Sequence, residues 1–311
     1  MKKSISVIVV NYNRKEYLYY CLKSVLNQSY SNIEIIVIDN DSSDGSIEMV
    51  EQEFPEAKIV KNRENMFLAT PYNQGIRLAN ADLILCMNND VILGRDYIKE
   101  VTSVFQKDKR IGSATGKLIN PTTRLIDSTG QILTRTRRGY ERGYKEKDSN
   151  NYSEGYVWGV GGAVACYRRE MLEDIEIENE YFDQTYKAYL EDLDLNWRGK
   201  NRGWRSYFKP SAIAFHYRGV TGWRKKSRFG FLNLNDDLKV QYLKNRYATL
   251  IKNETLGDYM KHLPCVLLYD SYLLILLISI NPLCILYLIK DISWLKNALK
   301  KRRIIKERWL N

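Results

Sequence analysis

The chain has 311 residues, and its 48 lysines and arginines against 37 aspartates and glutamates give a formal net charge of +11. This length allows one large catalytic domain with an appendage, and the basic balance predicts an anionic partner such as a phosphorylated small molecule or an acidic lipid surface. Two histidines exclude a three-histidine zinc site, and five scattered cysteines without a Cys-x-x-Cys pair predict reduced, buried thiols in a cytoplasmic protein, namely Cys21, Cys86, Cys166, Cys265 and Cys284.

The first hundred residues alternate between apolar runs and segments with helical spacing. Short, β-branched runs predict buried strands at residues 5–10, 33–38, 58–60 and 83–87. Apolar residues at helical spacing predict helices at residues 18–26, 46–54 and 72–80. The first run is too short for a signal peptide, so none is expected. The alternation predicts an α/β fold with a mostly parallel, doubly wound sheet covered by helices on both faces.

The remainder of the chain is less regular before it becomes helical. Residues 111–160 show no clear period, whereas 157–167 and 205–215 resemble strands, the second with a proline break. An acidic helix start lies within 180–198. From about residue 230 helical patterns continue to the C-terminus, which predicts a catalytic domain over residues 1–230 and a helical region over residues 231–311.

Polar clusters follow three of the predicted strands, where open α/β sheets bind ligands. They are 11–13, 39–41 and 88–90. No glycine-rich phosphate loop follows the first strand, so a nucleotide would be held by side chains and a metal. Asp90, at the mouth of a buried strand, suits Mg²⁺ or Mn²⁺, which take oxygen ligands. An ordinary Asx turn is the alternative interpretation of this cluster.

Two further features carry candidate chemistry. Glu191, Asp192 and Asp194 begin a predicted helix, where acids can simply complement the helix dipole. Leucines around Asp192 predict that it packs against the core, where a carboxylate can serve as a general base, with Glu191 as the next candidate. His216 follows an apolar strand and is either a structural histidine or a neutral ligand for Mn²⁺.

The chain contains seven ordered segments: SVIVVNYNR (6–14), VIDNDSSDGS (37–46), LILCMNNDV (83–91), GGAVACYRREML (161–172), YFDQTYKAYLEDLDLNWR (181–198), GWRSYFKPSAIAFHYRG (203–219) and KNRYATLIKN (244–253). This series resembles the bacterial family 2 glycosyltransferases, and the nearest subgroup in pattern is the rhamnosyltransferase-like one. The resemblance covers roughly residues 4–255. It implies a GT-A fold and an inverting, metal-dependent sugar transfer from a nucleotide-sugar donor.

The resemblance also implies roles for individual residues. Nucleotide-binding positions are Val10 and Tyr12 at the nucleoside, Asp39 at the base, and Asn89. Asn88, Asn89 and Asp90 occupy the Asp-x-Asp position, with Asp90 as the metal ligand and His216 completing the metal or diphosphate site, as in some members. Asp192 matches the catalytic base, and Trp158 to Gly162 lie where donor and acceptor sugars meet.

Two departures from the family pattern affect the nucleotide site. Asn88 replaces the first aspartate of the Asp-x-Asp motif, so metal binding depends more on Asp90. The segment that usually reads Asn-x-Gly-Phe-Ala-x-Gly is NMFLATP at 65–71. Because two glycines are lost, this loop is expected to be stiffer and differently shaped.

The resemblance implies transfer of rhamnose or another hexose from a dTDP- or UDP-sugar to a glycan or polyprenyl-diphosphate-linked acceptor in cell-surface polysaccharide synthesis. Two other functional classes predict different sequence features. A nucleotidyltransferase would normally have a glycine- and basic-rich phosphate loop after the first strand. A non-catalytic, membrane-associated nucleotide or carbohydrate binder predicts a degraded base or metal position. No nucleic-acid partner is expected.

The C-terminal region predicts contact with a membrane. Residues 271–289 are long and apolar enough to span one, but Asn281-Pro282 interrupts them. A single span would also export the tail over 290–308, whose eight basic residues oppose that orientation. We therefore expect an in-plane or re-entrant hairpin on the cytoplasmic face, with the tail near anionic headgroups. A buried helical pair or an oligomer interface is the alternative.

Overall fold

A computed structural model describes residues 4–218 and 234–309. Its strands are β1 (Ile5–Asn11), β2 (Ile33–Asp39), β3 (Lys58–Lys61), β4 (Leu83–Asn88), β5 (Val91–Leu93), β6 (Ile111–Ile119), β7 (Ile126–Ser128), β8 (Gln131–Leu133), β9 (Gly139–Glu141), β10 (Gly155–Val157), β11 (Val164–Arg168) and β12 (Arg205–His216). Its helices are α1 (Lys15–Leu26), α2 (Ser46–Glu53), α3 (Ala69–Leu78), α4 (Tyr97–Ser103), α5 (Arg169–Asp174), α6 (Glu191–Asn201), α7 (Asp236–Asn253), α8 (Leu256–Ile280), α9 (Leu283–Lys290) and α10 (Ser293–Trp309).

A mixed ten-stranded sheet forms the centre of the molecule. Its main strand order is β10-β12-β6-β11-β4-β1-β2-β3, with β5 paired to β12 and β7 to β6. The strands β4, β1, β2 and β3 are parallel, as predicted, whereas β11 runs antiparallel between β4 and β6. Successive side chains of β1 enter two apolar cores, Val7 and Val9 on one face and Ile8 and Val10 on the other. The predicted α/β sheet covered on both faces is confirmed.

The segment predicted to be irregular contains a central strand. The nine-residue strand β6 lies between β11 and β12 although its sequence, IGSATGKLI, has few large apolar residues. Its buried polar groups have partners: Ser113 Oγ donates to Ser206 Oγ at 2.8 Å, and Lys117 Nζ contacts Asp148 at 2.9 Å. Tertiary hydrogen bonds thus replace the apolar pattern that would have revealed this strand.

One other prediction about the middle of the chain was wrong in detail: the single strand predicted over 157–167 is two strands, β10 and β11, joined by a loop at 158–163 that contains three glycines. The acidic helix start predicted within 180–198 is confirmed, because α6 begins at Glu191. The proline break predicted in β12 is confirmed, because its register against β6 shifts between Lys209 and Ile213.

Helices α7 and α10 pack against the sheet domain through a buried ionic network behind α6. Lys252 Nζ contacts both Asp183 and Asp194, the second at 2.9 Å. Lys301 Nζ lies 2.7 Å from carboxylate oxygens of Asp183 and Glu180. The domain boundary predicted at residue 230 lies outside the described residues. All five cysteines are unpaired, and four of them are buried.

We expect Lys252→Met to destabilise the protein by about 3–5 kcal/mol, because it leaves two buried carboxylates facing each other without their shared cation. Lys58→Met is the matched control, since Lys58 pairs with Glu34 at the surface, where such a pair contributes about 0–1 kcal/mol. Urea unfolding of both variants measures the difference. Equal, small losses would show that the buried network does not hold the helices to the domain.

Half of the basic residues in the C-terminal tail contact the protein itself. Lys301 is buried, Arg302 donates to the Lys252 carbonyl at 2.8 Å, and Arg308 donates to the Glu176 carbonyl at 2.6 Å. Lys300 pairs with Glu178. The exposed basic residues that remain for a charged surface are Lys290, Lys296, Arg303 and Lys306.

Helix α8 is long and apolar enough to cross a membrane, and it is the one helix among residues 4–218 and 234–309 with that property. It ends at Ile280, and α9 begins after Pro282, so the predicted interruption at Asn281-Pro282 is present. Its inner face packs Leu273 and Leu277 against Val240 and Leu243 of α7. Large apolar side chains on its outer face are exposed, including Leu268 at 74% and Ile275 at 64%.

Candidate functional site

The polar clusters predicted at the strand ends meet at one edge of the sheet. Asn11 lies opposite Asp39 in the β1–β2 register, and Val10 lies opposite Asn88 in the β1–β4 register. Asn89 Nδ2 donates to Asn11 Oδ1 at 2.7 Å, and Asn11 Nδ2 donates to Asp39 Oδ1 at 2.8 Å. One hydrogen-bonded chain therefore links the ends of three parallel strands.

The predicted nucleoside-binding residues differ in their environment. Asp39 is buried and accepts hydrogen bonds from the Ser42 backbone amide at 2.9 Å and the Ser42 hydroxyl at 2.5 Å. Tyr12 is 47% exposed at the sheet edge, where its ring can stack on a ligand. The side chain of Val10 is packed in the core, so only its backbone reaches the edge.

The atypical loop over 65–71 contains a strained residue where relatives usually have glycine. Phe67 has φ of 61°, a left-handed conformation that is uncommon for a bulky side chain. Asn40 Nδ2 donates to the Phe67 carbonyl at 2.7 Å and holds this conformation. Pro71, at the second lost glycine, lies in the first turn of α3, where a proline fits because its missing N–H needs no helical partner. The loop therefore keeps a glycine-like turn without glycine.

Asp90 and His216 meet because β12 pairs with β5, which follows Asp90 directly. His216 lies opposite Val91 in this pairing, and its Nε2 is 3.3 Å from Asp90 Oδ1. His216 Nδ1 is 2.8 Å from Asp127 Oδ2, and Arg218 pairs with the same carboxylate. Burial lowers the pKa of His216, but its contacts with Asp127 and Asp90 outweigh burial and raise the pKa to about 9.

These residues fit a hard divalent cation that also takes ligands from a diphosphate. Apart from the 3.3 Å approach of His216 Nε2, the buried Asp90 Oδ1 accepts no hydrogen bond from the described part of the chain, so it can act as a metal ligand. Asp127 orients the His216 ring so that Nε2 points to Asp90, as acidic partners orient metal-binding histidines. Within the described ranges no three His, Cys, Asp or Glu side chains form a cluster that could hold a metal alone. Mg²⁺ and Mn²⁺ commonly use one or two protein carboxylates beside substrate phosphates.

Asp192 lies next to the Asn88–Asp90 turn because the loop before β11 joins them. The Asn88 amide donates to the Ala163 carbonyl at 3.0 Å, and the neighbouring Gly162 amide donates to Asp192 Oδ2 at 2.8 Å. Gln131 Nε2 donates to the same oxygen at 2.6 Å. The half-buried Asp192 carboxylate is thereby fixed at the sheet edge, in the first turn of α6.

The strained turn at Tyr189 and Leu190 positions Asp192 at the sheet edge. Tyr189 and Leu190, directly before α6, have φ of 68° and 69°, which two consecutive non-glycine residues adopt only when their surroundings hold them. Asn245 Nδ2, on α7, donates to the carbonyls of Ala188 and Tyr189 at 2.7 and 2.8 Å. The helical region after residue 234 therefore positions the turn that precedes Asp192.

Glu191 and Asp192 form a tightly coupled acidic pair. Burial and then the charge of Asp192 raise the pKa of Glu191, and within the described residues Glu191 Oε2 is buried without a hydrogen-bond partner. Burial also raises the pKa of Asp192, although hydrogen bonds from Gly162, Leu193 and Gln131 oppose this rise. These hydrogen bonds favour the charged form of Asp192 over that of Glu191.

The region where donor and acceptor sugars are predicted to meet, residues 158–162, lies beside Asp192. An alanine methyl built on Gly162 would lie 3.2 Å from Asp192 Oδ2, so a side chain there would crowd the carboxylate. Trp158 is half-buried and packs edge-on against Trp197 of α6, with ring centroids 5.8 Å apart. The exposed part of Trp158 offers an apolar surface near Asp192.

No sequence pattern predicts four of the polar residues at the site. Asp127, Gln131 and Glu141 come from the segment without periodicity, and Asn196 lies inside α6. Asn196 Nδ2 donates to Gln131 Oε1 at 3.0 Å and thereby turns the Gln131 amino group toward Asp192. Each is an isolated polar residue in the sequence, so only the tertiary fold reveals its role.

Comparisons with known proteins identify the family of the chain. The family model described as Glycosyl transferase family 2 matches residues 6–176. Poly-beta-1,6-N-acetyl-D-glucosamine synthase of Staphylococcus aureus (strain COL) is 27% identical over 216 residues, covering 68% of this chain and 50% of that protein. The Staphylococcus epidermidis protein of the same name is 26% identical over 217 residues, with the same shares covered. The chain spans about half the length of these curated relatives.

Solved structures support the same fold. The mannosyltransferase PcManGT from Pyrobaculum calidifontis, in complex with GDP-Man and Mn²⁺, superposes with a TM-score of 0.58 at 15% identity, covering 99% of this chain and 86% of that chain. GalNAc-T7 with UDP, GalNAc and Mn²⁺ gives a TM-score of 0.57 at 11% identity, covering 84% and 55%. At these identities the likeness concerns the fold, a mixed sheet of GT-A type.

Proposed function

The chain belongs to glycosyl transferase family 2, and from that premise we propose that it transfers a hexose from a nucleotide sugar to a hydroxyl group of a glycan or lipid-linked acceptor, with inversion at the anomeric carbon. The observation that carries this proposal is the position of Asp192. A fixed, half-buried carboxylate with a raised pKa lies at the sheet edge, hydrogen-bonded to the loop that also joins the Asn88–Asp90 turn.

In the proposed reaction Asp192 accepts the proton of the acceptor hydroxyl as its oxygen attacks the anomeric carbon. A single base, with no second carboxylate assigned as a nucleophile, gives one displacement and hence inversion. Asp90 and His216 would hold Mg²⁺ or Mn²⁺, which would offset the negative charge on the departing nucleoside diphosphate. Gln131 and the Gly162 amide keep the Asp192 carboxylate aimed at the acceptor throughout.

For the donor we propose a dTDP- or UDP-hexose, with dTDP-rhamnose as the first compound to test. The support is the motif pattern of the chain, and the named product of the staphylococcal relatives adds UDP-N-acetylglucosamine to the panel. Thermal-shift titration with UDP-, dTDP- and GDP-sugars in the presence of Mn²⁺ tests the proposal. Stabilisation by the dTDP- or UDP-sugars supports it, and stabilisation by GDP-sugars with none by dTDP- or UDP-sugars would contradict the choice of donor.

A nucleotidyltransferase remains the second candidate because it would use a similar sheet and a divalent metal. The family match and the position of Asp192 favour sugar transfer. The two reactions differ in their products, since sugar transfer releases a nucleoside diphosphate and nucleotidyl transfer releases pyrophosphate.

We also propose that α8 docks in the plane of the cytoplasmic membrane face, so that Asp192 can reach a polyprenyl-diphosphate-linked acceptor in polysaccharide synthesis. Asp270, near the middle of α8, pairs with Arg246 of α7 at 2.7 Å. The same guanidinium donates to the carbonyls of Thr136 and Arg137 at 2.7 and 3.0 Å. A spanning α8 would carry this ion pair and its polar neighbours into the hydrocarbon, which is costly.

Replacing Leu268 and Ile275 together by glutamate is expected to weaken binding to anionic vesicles at least about tenfold. Both side chains are exposed on the outer face of α8, and burying each would contribute about 1.5–3 kcal/mol. Leu78→Glu, on an exposed leucine of α3, is the control. Sedimentation with phosphatidylglycerol vesicles measures the partition. Unchanged binding of the double variant would mean that α8 is covered by protein instead.

A further inference from the structure

The Glu141 carboxylate lies close to the Asp192 carboxylate. Glu141 lies opposite Gln131 in the β8–β9 pairing, and Gln131 Nε2 is 3.4 Å from Glu141 Oε1 and 2.6 Å from Asp192 Oδ2. One amino group thus contacts both carboxylates. The two acids are therefore close enough for a single sugar ring to touch both.

Two adjacent glycines, Gly161 and Gly162, lie directly against these two carboxylates. An alanine methyl built on Gly161 would lie 2.7 and 2.9 Å from the two Glu141 carboxylate oxygens, and one on Gly162 would lie 3.2 Å from Asp192 Oδ2. Each acid rests directly on one of two adjacent glycines. The two carboxylates therefore lie side by side against the same loop, and the missing side chains of Gly161 and Gly162 permit this close approach.

Among residues 4–218 and 234–309, Glu141 forms no salt bridge. The Ser128 hydroxyl donates to its Oε2, and the positive charge of Arg218, which pairs with Asp127, also acts on it. Burial and then the charge of Asp192 raise the pKa of Glu141 to about 7, while Ser128 and Arg218 lower it. A half-buried acid with spare lone pairs beside the base is suited to bind a hydroxyl group.

We propose that Glu141 binds the acceptor sugar by accepting a hydrogen bond from a second hydroxyl group, next to the hydroxyl that Asp192 deprotonates. This inference rests on the proposed function and adds the acceptor class: a pyranose that presents two neighbouring hydroxyl groups to the two carboxylates. Glu141 is thus a specificity-determining residue, and Gln131 sets the spacing between it and the base.

The test uses the full-length enzyme with methyl glucoside, galactoside, mannoside and N-acetylglucosaminide as acceptors, and monodeoxy analogues of whichever is glycosylated. Glu141→Gln should raise the acceptor KM about ten- to hundredfold, the range for losing one hydrogen bond to a charged group, with the donor KM and donor hydrolysis unchanged. Glu146→Gln, an exposed acid shortly after β9, is the matched control and should leave every constant unchanged.

The deoxy analogues separate binding from a structural role. Wild-type enzyme should lose acceptor affinity when one particular hydroxyl is removed, and Glu141→Gln should no longer respond to that removal. If Glu141→Gln loses as much acceptor affinity as the wild-type enzyme on removal of each hydroxyl group, the proposal is wrong. Donor hydrolysis without transfer to any pyranoside would also overturn it, whereas failure to bind or cleave any donor would instead refute the proposed function.

Discussion

Replacing Asp192 with asparagine is expected to lower kcat by about 10²–10⁴-fold while donor affinity stays within twofold of wild type. The amide keeps the shape of the carboxylate and can still contact Gln131, but it cannot accept a proton, and general-base catalysis contributes about this factor. Steady-state kinetics together with donor titration measure the two effects separately. Glu173→Gln, an exposed acid on α5, serves as the charge control and should leave the rate unchanged.

We also expect Asp192→Asn to change how the reaction rate depends on pH. Burial raises the pKa of Asp192, so the wild-type rate should fall as the pH drops through this raised value, above the usual range of an aspartate. Glu191, Glu141 and Tyr167 are titratable groups that face Asp192. The acidic limb of the pH–rate profile therefore reports Glu191 and Asp192 together and not one residue alone. Asp192→Asn should flatten this limb. An unchanged rate and limb would assign the base to another group, with Glu191 as the next candidate.

Replacing Asp90 with asparagine is expected to remove metal-dependent activity almost completely. Asp90 Oδ1 is a buried oxygen that accepts no hydrogen bond from the described residues beyond the approach of His216, and an amide is a much weaker ligand for Mg²⁺ or Mn²⁺ than a carboxylate. Thermal-shift titration of UDP and dTDP with and without Mn²⁺ should show that the metal-dependent part of nucleotide binding disappears together with turnover.

Glu53→Gln, an exposed acid on α2, is the control for the Asp90 variant and should retain both properties. His216→Ala should weaken metal affinity less than Asp90→Asn, because it removes one imidazole ligand, which must lose its proton to bind a cation, and leaves the carboxylate. Full turnover of the wild-type enzyme in excess chelator would contradict a catalytic metal, and normal metal affinity of the His216 variant would make His216 a structural residue.

The parallel half of the sheet was predictable because its strands are continuous β-branched runs. β1, β2 and β4 are buried on both faces, so their sequences carry a strong signal, and the polar residues that end them necessarily share one edge. Asp90 could be predicted from that rule alone. Asp192 needed the acidic helix start and the resemblance to the family.

The rest of the site depends on tertiary contacts that leave no local pattern. β6 is built from small and polar residues whose hydrogen bonds are made with distant strands, so its burial is invisible in the sequence. Asp127, Gln131 and Glu141 reach the site only because the short strands β7 to β9 fold over that edge. Asn245 supports the turn that precedes Asp192 from α7, which is remote along the chain.

The most direct test of sugar transfer is product analysis of a complete reaction with nucleotide sugar, Mn²⁺ and a pyranoside acceptor. We expect acceptor-dependent release of a nucleoside diphosphate, one equivalent for each new glycosidic bond, with inverted anomeric configuration and with loss of the signal in Asp192→Asn. Release of pyrophosphate, or a product with retained configuration, would contradict sugar transfer with inversion.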